Sequence, residues 1–192
     1  MVHNDKRQQI MSVVEKVANS RRFHEVTLDE IARGAKVGKG TIYHYFKDKE
    51  DLFFQVATSG FDELCELLKH KVPHNTPFSE KLLSICKHIS KFFSARQQLL
   101  QMMQTEAGLV YWRRGRIRQR WLDKRKVLVG TLADVFAEGV DAGVIRSDIP
   151  TEVLATFLLG LLRTRARDLR DTPESMKSDK LLVDLFMNGA GV

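Results

Sequence analysis

The stretch 27–53, TLDEIARGAKVGKGTIYHYFKDKEDLF, constrains the fold most, because it carries the start and stop signals of consecutive short helices. Thr27 and Glu30 have the three-residue spacing of a capping box at a helix start. Gly34 lies where that helix should end, since glycine adopts the left-handed conformation at little cost. This order of signals predicts a helix–turn–helix.

The second helix of the pair is predicted over residues 38–46, with Ile42 and Phe46 four residues apart and facing the core. Such a helix leaves polar side chains on its other faces, and these are Lys39, Thr41, His44 and Tyr45, with Tyr43 at the edge. Side chains of these types reach phosphates or base edges in a DNA major groove. The pattern therefore indicates DNA recognition.

Residues 37–52, VGKGTIYHYFKDKEDL, resemble the recognition region of the TetR family of bacterial transcriptional regulators, which typically reads VSKGTLYHYF-x-x-KE-x-L. The sequence departs from that pattern at Gly38, where the family often has Ser or Thr. The resemblance reaches back to Ile10 and the amphipathic first helix that ends near Phe23, and it is weaker past about residue 55. It implies a homodimeric repressor that a small-molecule effector releases from a palindromic duplex.

The chemistry of the matched positions assigns roles toward DNA. Thr27 and Lys49 lie at helix starts, where side chains and backbone amides hold phosphate. The hydroxyls of Tyr43 and Tyr45 are predicted to donate to phosphates, and Gly40 lets the backbone approach DNA closely. On the exposed face, Lys39 could read guanine and Thr41 a thymine methyl. The predicted DNA-binding set is Thr27, Lys39, Gly40, Thr41, Tyr43, His44, Tyr45 and Lys49.

The composition fits such a protein without proving it. A net charge of +7 and a pI near 9.5 favour an anionic partner. The sequence has no apolar run of about eighteen residues and no secretion signal, so we expect a cytoplasmic protein without a membrane partner. Cys65 and Cys86 are the only cysteines, which favours reduced thiols over a disulfide framework.

The chain has four prolines and no alternating strand pattern, which predicts an all-α fold. We expect an N-terminal three-helix DNA-binding bundle over 1–47 and a C-terminal helical body over 48–192 that binds effector and dimerises. A long helix should start at the N-cap Asp48 and run to residue 71. Other helices are predicted over 4–21, 77–95, 97–111, 115–142 and 151–170, with a last one ending before Gly189.

The helix over 151–170 is apolar on more than one face, so it is either a central core helix or a homodimer face. In the TetR family, the last two helices form a four-helix bundle with the twin subunit, and the resemblance favours the dimer. The predicted interface consists of Ala155, Leu158, Gly160, Leu162, Leu182 and Phe186.

Aromatic and thioether side chains of the region from the helix over 77–95 to the helix over 115–142 suit an apolar effector, although core packing explains them equally well. The predicted effector-binding residues are Phe92, Phe93, Met102, Met103, Trp112 and Trp121. The adjacent basic run over 111–126 is a solvated helix face, an anion-recognition site or a second nucleic-acid surface.

Other chemistries find little support. GAKVGKGT at 34–41 lacks the P-loop spacing, and Pro73 separates His70 from His74, so we predict no nucleotide site, metal or cofactor. No local motif offers a catalytic set, and we expect no enzyme activity. The remaining alternative is a protein–protein adaptor that uses the helix–turn–helix structurally and would lack salt-dependent DNA affinity.

Overall fold

The structure, a computed structural model, describes residues 2–18, 21–70, 76–95, 116–169 and 171–191. Within these ranges it contains α-helices and two short 3-10 turns and no strand beyond an isolated bridge between Ile145 and Gly191, which confirms the all-α prediction. The helices are α1 (Val2–Ala18), α2 (Leu28–Gly34), α3 (Lys39–Tyr45), α4 (Lys49–Ala57), α5 (Phe61–His70), α6 (Phe78–Ala95), α7 (Arg116–Asp141), α8 (Thr151–Asp168) and α9 (Asp179–Ala190). The helix predicted over 97–111 lies outside the described residues.

Helix α2 begins at the predicted capping box. The Thr27 hydroxyl accepts the Glu30 N–H at 3.2 Å, and the Glu30 carboxylate accepts the Thr27 N–H at 3.0 Å. These two bonds satisfy amides that have no partner within the helix. The predicted cap of α4 is also present, since the Asp48 carboxylate accepts the Asp51 N–H at 2.7 Å.

Helix α2 does end at Gly34, as predicted, but the predicted reason for the glycine, a left-handed conformation, is wrong. The left-handed residue after α2 is Lys36, with φ 52°, and the Val37 N–H reaches back to the Ala32 carbonyl at 3.0 Å. This is the hydrogen bond that closes a Schellman motif. A Cβ on Gly34 would lie 2.9 Å from Val13 Cγ1, so the glycine permits close packing of α1 on α2.

The predicted single helix from Asp48 to residue 71 is also wrong, because it is divided into α4 and α5 by a turn over 58–60. Gly60 adopts φ 71°, and the Thr58 hydroxyl donates to the Phe54 carbonyl at 2.9 Å. Apolar side chains continue at helical spacing on both sides of the turn, which is why the sequence pattern resembled one helix. The last helix ends at Ala190 rather than before Gly189.

The described residues divide into two compact units, one formed by those within 1–59 and 116–122 and the other by those within 60–95 and 123–191. The predicted functional boundary at residue 48 concerns which residues act on DNA, and it stays a prediction. The core of the first unit is built by α1 to α4 and includes Ile10, Val14, Ile31 and Ile42. None of the described helices combines the length and apolarity that crossing a membrane requires.

The core of the second unit is formed by side chains of α5 to α9. It contains five of the six residues predicted to form the dimer interface, namely Ala155, Leu158, Leu162, Leu182 and Phe186. Because these side chains are already buried against their own chain, they cannot form the main contact with a second copy. The apolar side chains that α8 and α9 expose are different ones: Val153, Phe157, Leu161, Leu181 and Leu185.

Helix α7 packs tightly on the start of α6 at Gly139. A Cβ there would lie 2.7 Å from both Ile145 Cγ1 and Phe78 Cε2, distances that real Cβ contacts do not show. Gly130, on the same helix, has open space around its Cβ position. The two glycines therefore make a matched pair for testing the packing.

We expect Gly139→Ala to lower the free energy of unfolding by about 1–3 kcal/mol, the usual cost of overpacking. Gly130→Ala should raise it by up to about 1 kcal/mol, because alanine favours the helix without a clash. Urea unfolding followed by circular dichroism measures both. Equal shifts for the two variants would contradict the packing described at Gly139.

Candidate nucleic-acid interface

Helix α3 packs on the core through its inward side chains, and most of its other residues are exposed to solvent. Ile42 and Phe46 are fully buried in the core of the first unit. The ring of Tyr43 is 53 % exposed, and His44 is exposed beside it. Tyr45 is half-buried, with its ring packed against the same core, and its predicted phosphate contact stays a prediction. The helix therefore offers one continuous outer face.

Gly40 lies on that face, where a Cβ would meet no described atom within 4 Å beyond its chain neighbours and the backbone of its own helix, and its φ is not positive. Neither packing nor backbone conformation explains a glycine here, although glycine weakens a helix by about 1 kcal/mol relative to alanine. Gly38, the N-cap of α3, makes no side-chain capping bond. Bare backbone is thus exposed at the start of the helix.

Lys39 is already engaged by an acidic neighbour. Its ammonium donates to Asp29 Oδ2 of α2 at 2.9 Å, and this hydrogen bond to Asp29 raises the pKa of Lys39. Both side chains are about half exposed, so the pair is weak and a competing anion can displace it. The sequence analysis missed Asp29, because nothing local relates residues ten apart on two helices.

Thr27 and Lys49 also have partners within the first unit. The exposed Thr27 belongs to the capping box, and the Lys49 ammonium donates to the Phe23 carbonyl and lies 4.3 Å from the centroid of the Phe23 ring. Burial lowers the pKa of Lys49. The predicted phosphate contacts of both residues remain predictions, and Lys49 would have to leave Phe23 to make its contact.

Asp51 carries a role that sequence reasoning overlooked. Its carboxylate accepts hydrogen bonds from Arg120, from the Lys47 N–H and from Gln55. Burial raises the pKa of Asp51, but these hydrogen bonds outweigh burial and leave the pKa below its ordinary value. Asp51 and Arg120 are 69 residues apart, so no sequence spacing indicates the pair.

The predicted effector residues are only partly within the described structure. Phe92 and Phe93 are half-buried on the core of the second unit, with their ring centroids 5.6 Å apart, and Phe92 also contacts the ring of Phe61 at 5.9 Å. Trp121 is half-buried and is assigned to the first unit, so the structure does not group it with the phenylalanines. Met102, Met103 and Trp112 lie outside the described residues.

The described part of the basic run has a mixed character. Arg118, Arg125 and Lys126 are exposed, as a solvated helix face would be. Arg120 and Lys124 instead form ion pairs with Asp51 at 2.6 Å and Asp62 at 2.5 Å. The described residues contain no cluster of three histidine, cysteine or acidic side chains that could hold a metal.

Comparison with known proteins finds relatives of the helix–turn–helix region and of the whole fold. The family model described as "Bacterial regulatory proteins, tetR family" matches residues 10–56, the region that contains α2 and α3. The "Fatty acid metabolism regulator protein" of Bacillus subtilis is 25% identical over 157 residues, which cover 80% of this chain and 78% of that protein. The "HTH-type transcriptional repressor AcnR" of Corynebacterium glutamicum is 23% identical over 154 residues, 79% of this chain and 75% of that protein.

The fold agrees over nearly the whole chain with a solved structure of the transcriptional regulator FadR from Bacillus subtilis in complex with stearoyl-CoA. The two share a TM-score of 0.78 at 20% sequence identity, over 95% of this chain and 98% of that chain. The exposed recognition helix, the family match over residues 10–56 and the shared architecture make this chain a DNA-binding transcriptional regulator whose N-terminal helix–turn–helix is similar to that of the TetR family of bacterial regulatory proteins.

Proposed function

We propose that this regulator is a repressor that binds a palindromic DNA duplex as a homodimer and is released by a small-molecule effector. The outer face of α3 carries the proposal, because Lys39, Gly40, Tyr43 and His44 are all exposed on it. Protein side chains of these types hold phosphates and read base edges, and exposed backbone permits close approach. A protein–protein adaptor would not require an exposed glycine at position 40.

Binding would begin at the phosphates. The Tyr43 hydroxyl and the amides at the start of α3 supply neutral donors, and Lys39 supplies charge once a phosphate or base displaces Asp29. Exchange of one exposed partner for another costs little, since exposed ion pairs are worth about 0–1 kcal/mol. Base preference would then rest on Lys39, Thr41 and His44.

The exposed apolar side chains of α8 and α9 support the homodimer. Val153, Phe157 and Leu161 repeat every four residues along α8, and Leu181 and Leu185 do so along α9. Phe157 and Leu185 are 61% and 64% exposed, unusually high for large apolar side chains on neighbouring helices. A two-fold arrangement of these two helices would cover both stripes with the same stripes of the second copy.

For the effector, a long-chain acyl-CoA is the first candidate. The support comes from the FadR structure with bound stearoyl-CoA and from the curated fatty acid metabolism regulator. Half-buried Phe92 and Phe93 would offer apolar surface to an acyl chain, and the exposed Arg125, in the same unit, would suit a phosphate of the headgroup. Effector and DNA would compete by preferring different states of one dimer.

Gly40→Ala should retain the fold, because within the described residues the added methyl would meet no atom within 4 Å beyond its chain neighbours and its own helix backbone. It should weaken binding to DNA by about 1–3 kcal/mol, since the methyl would crowd the approaching backbone of the duplex. The measurement is fluorescence anisotropy with a duplex selected from a random pool by the native chain, at several salt concentrations. Gly130→Ala, also in a helix with open space, is the control and should bind as the native chain does.

The native chain should lose affinity steeply as salt rises, because each neutralised phosphate releases counterions. Selection that yields no palindrome, or an affinity indifferent to salt, would refute DNA binding and favour the adaptor. Native affinity in Gly40→Ala would refute only the close approach of backbone at Gly40.

Phe157→Glu should convert the dimer into a monomer, because a charge buried at the centre of an apolar interface costs about 2 kcal/mol or more. Val127→Glu, which changes a 48% exposed apolar side chain on α7, is the control. Multi-angle light scattering at micromolar concentration distinguishes the two states. Gly160→Leu, at a position with open space in the single chain, should also weaken the dimer. A monomeric native chain would contradict the proposed assembly.

Stearoyl-CoA should shift the tryptophan emission and lower the affinity for the selected duplex by about five- to 150-fold, the usual range of allosteric coupling. The duplex must lower the affinity for stearoyl-CoA by the same factor, because linkage is reciprocal. Free CoA is the control for the headgroup alone, and stearate is the control for the acyl chain alone. Trp112→Phe should change the affinity for stearoyl-CoA and leave the affinity for DNA intact.

Binding of stearoyl-CoA that leaves the duplex affinity unchanged would remove its effector role. Absence of binding would remove acyl-CoA as a candidate while leaving DNA recognition untouched.

A further inference from the structure

The carboxylate of Asp51 organises the start of α4. Oδ2 accepts the Lys47 N–H at 3.0 Å and the side-chain amide of Gln55 at 2.8 Å, while Oδ1 accepts Nη1 of Arg120 at 2.6 Å. The Asp51 side chain is 13% exposed, so these bonds replace most of its hydration. A carboxylate this shielded from water needs its hydrogen-bond partners to compensate for the hydration it has lost.

The hydrogen bond from the Lys47 amide links this carboxylate to the segment that follows the recognition helix α3. Helix α3 ends at Tyr45, the buried Phe46 follows, and Lys47 is the next residue. The hydrogen bond to Asp51 therefore fixes the backbone that joins α3 to α4. Gln55 extends the same network to α1, because its side-chain carbonyl accepts Nη2 of Arg7 at 2.8 Å.

Arg120 reaches this network from α7. Its guanidinium lies 4.3 Å from the centroid of the Phe54 ring, and the planar group bonds the carboxylate while stacking on the ring. Arginine combines these two contacts in a way that lysine cannot. Without the guanidinium, the Asp51 carboxylate would lose its cationic partner while still shielded from water, and would rotate away from the Lys47 amide to regain hydration.

We propose that Arg120 is a positioning residue for DNA recognition, which acts through Asp51 to set the orientation of α3. Arg120 touches no DNA in this scheme. The inference rests on the proposed DNA binding and adds a determinant of affinity that lies far from the helix–turn–helix in sequence.

Lys124 provides a matched control on the same helix. Its ammonium donates to Asp62 at 2.5 and 2.6 Å and lies 5.8 Å from the centroid of the Phe61 ring, so it too pairs an aspartate and faces a phenylalanine. These partners belong to the second unit, whereas Asp51 and Phe54 belong to the first. Arg120→Ala and Lys124→Ala therefore remove equal charge from one helix but only the first disturbs the Asp51 network.

The test measures anisotropy at fixed salt with two probes, the duplex selected by the native chain and a scrambled duplex of the same composition. Arg120→Ala should weaken binding to the selected duplex by about five- to thirtyfold relative to Lys124→Ala, the size expected for a coupled polar network. Binding to the scrambled duplex should change equally in both variants, because it depends on charge alone. Arg120→Lys should recover part of the loss.

Asp51→Asn supplies the second arm and does not depend on the stability of Arg120→Ala. It should weaken binding to the selected duplex similarly, and in the Asp51→Asn background Arg120→Ala should add no loss beyond the charge effect that Lys124→Ala shows. Circular dichroism at the assay temperature ensures that folded proteins are compared. A purely structural role would lower the melting temperature and leave the selected-duplex affinity at the Lys124→Ala level, which would overturn the inference.

If Asp51→Asn binds the selected duplex as tightly as the native chain does, the inference is overturned as well. A native chain that does not distinguish the selected from the scrambled duplex would defeat the proposed DNA recognition, and the inference would fall with it. A native chain that distinguishes them while Arg120→Ala matches Lys124→Ala would defeat the inference alone.

Discussion

The burial of Ile42 and Phe46 is the constraint on which the DNA-binding surface depends. Helix α3 has seven residues, too few to be stable by itself in water. Packing of these two side chains into the core of α1, α2 and α4 holds the helix in place and fixes its rotation. The rotation in turn decides that Lys39, Gly40, Tyr43 and His44 are the residues exposed on the outer face of α3.

The positive charge of the chain is less available than its total indicates. Among the described residues, Lys39, Lys49, Arg120 and Lys124 each have a partner within their own unit. Lys81, buried at the start of α6, likewise pairs with Glu138, and Arg165 pairs with Asp179 at 2.7 Å. Phosphate recognition would therefore exchange existing partners for new ones, and the exposed pair of Lys39 with Asp29 is the easiest to exchange.

The family match and the local structure agree over the helix–turn–helix, but not over the C-terminal body. The family match covers residues 10–56, where the capping box, the inward apolar pair and the bare glycine give independent reasons for the same assignment. For the body, the relatives supply a shared architecture at about a fifth to a quarter identity. The proposed dimer therefore rests on the exposed apolar stripes of α8 and α9. The proposed effector site rests on the half-buried rings of Phe92 and Phe93.

The sequence by itself determined the features that depend on residues close together in the chain. The caps at Thr27 and Asp48, the inward spacing of Ile42 and Phe46, the recognition motif and the all-α class all follow from neighbours within about four residues, because helical hydrogen bonds and helix faces are local. The left-handed Gly143, with φ 68°, ends α7 for the same local reason.

Tertiary structure decided what depends on residues far apart. The reason for Gly34 is its contact with Val13, and the exposed side chains of α8 are Phe157 and Leu161 because Leu158 and Leu162 are covered by the rest of the second unit. The pairing of Asp51 with Arg120 spans 69 residues, and no periodicity in the sequence encodes it. Packing and ion pairing bring such residues together only after the chain folds, which is why the sequence predicted the recognition helix but not the contacts that orient it.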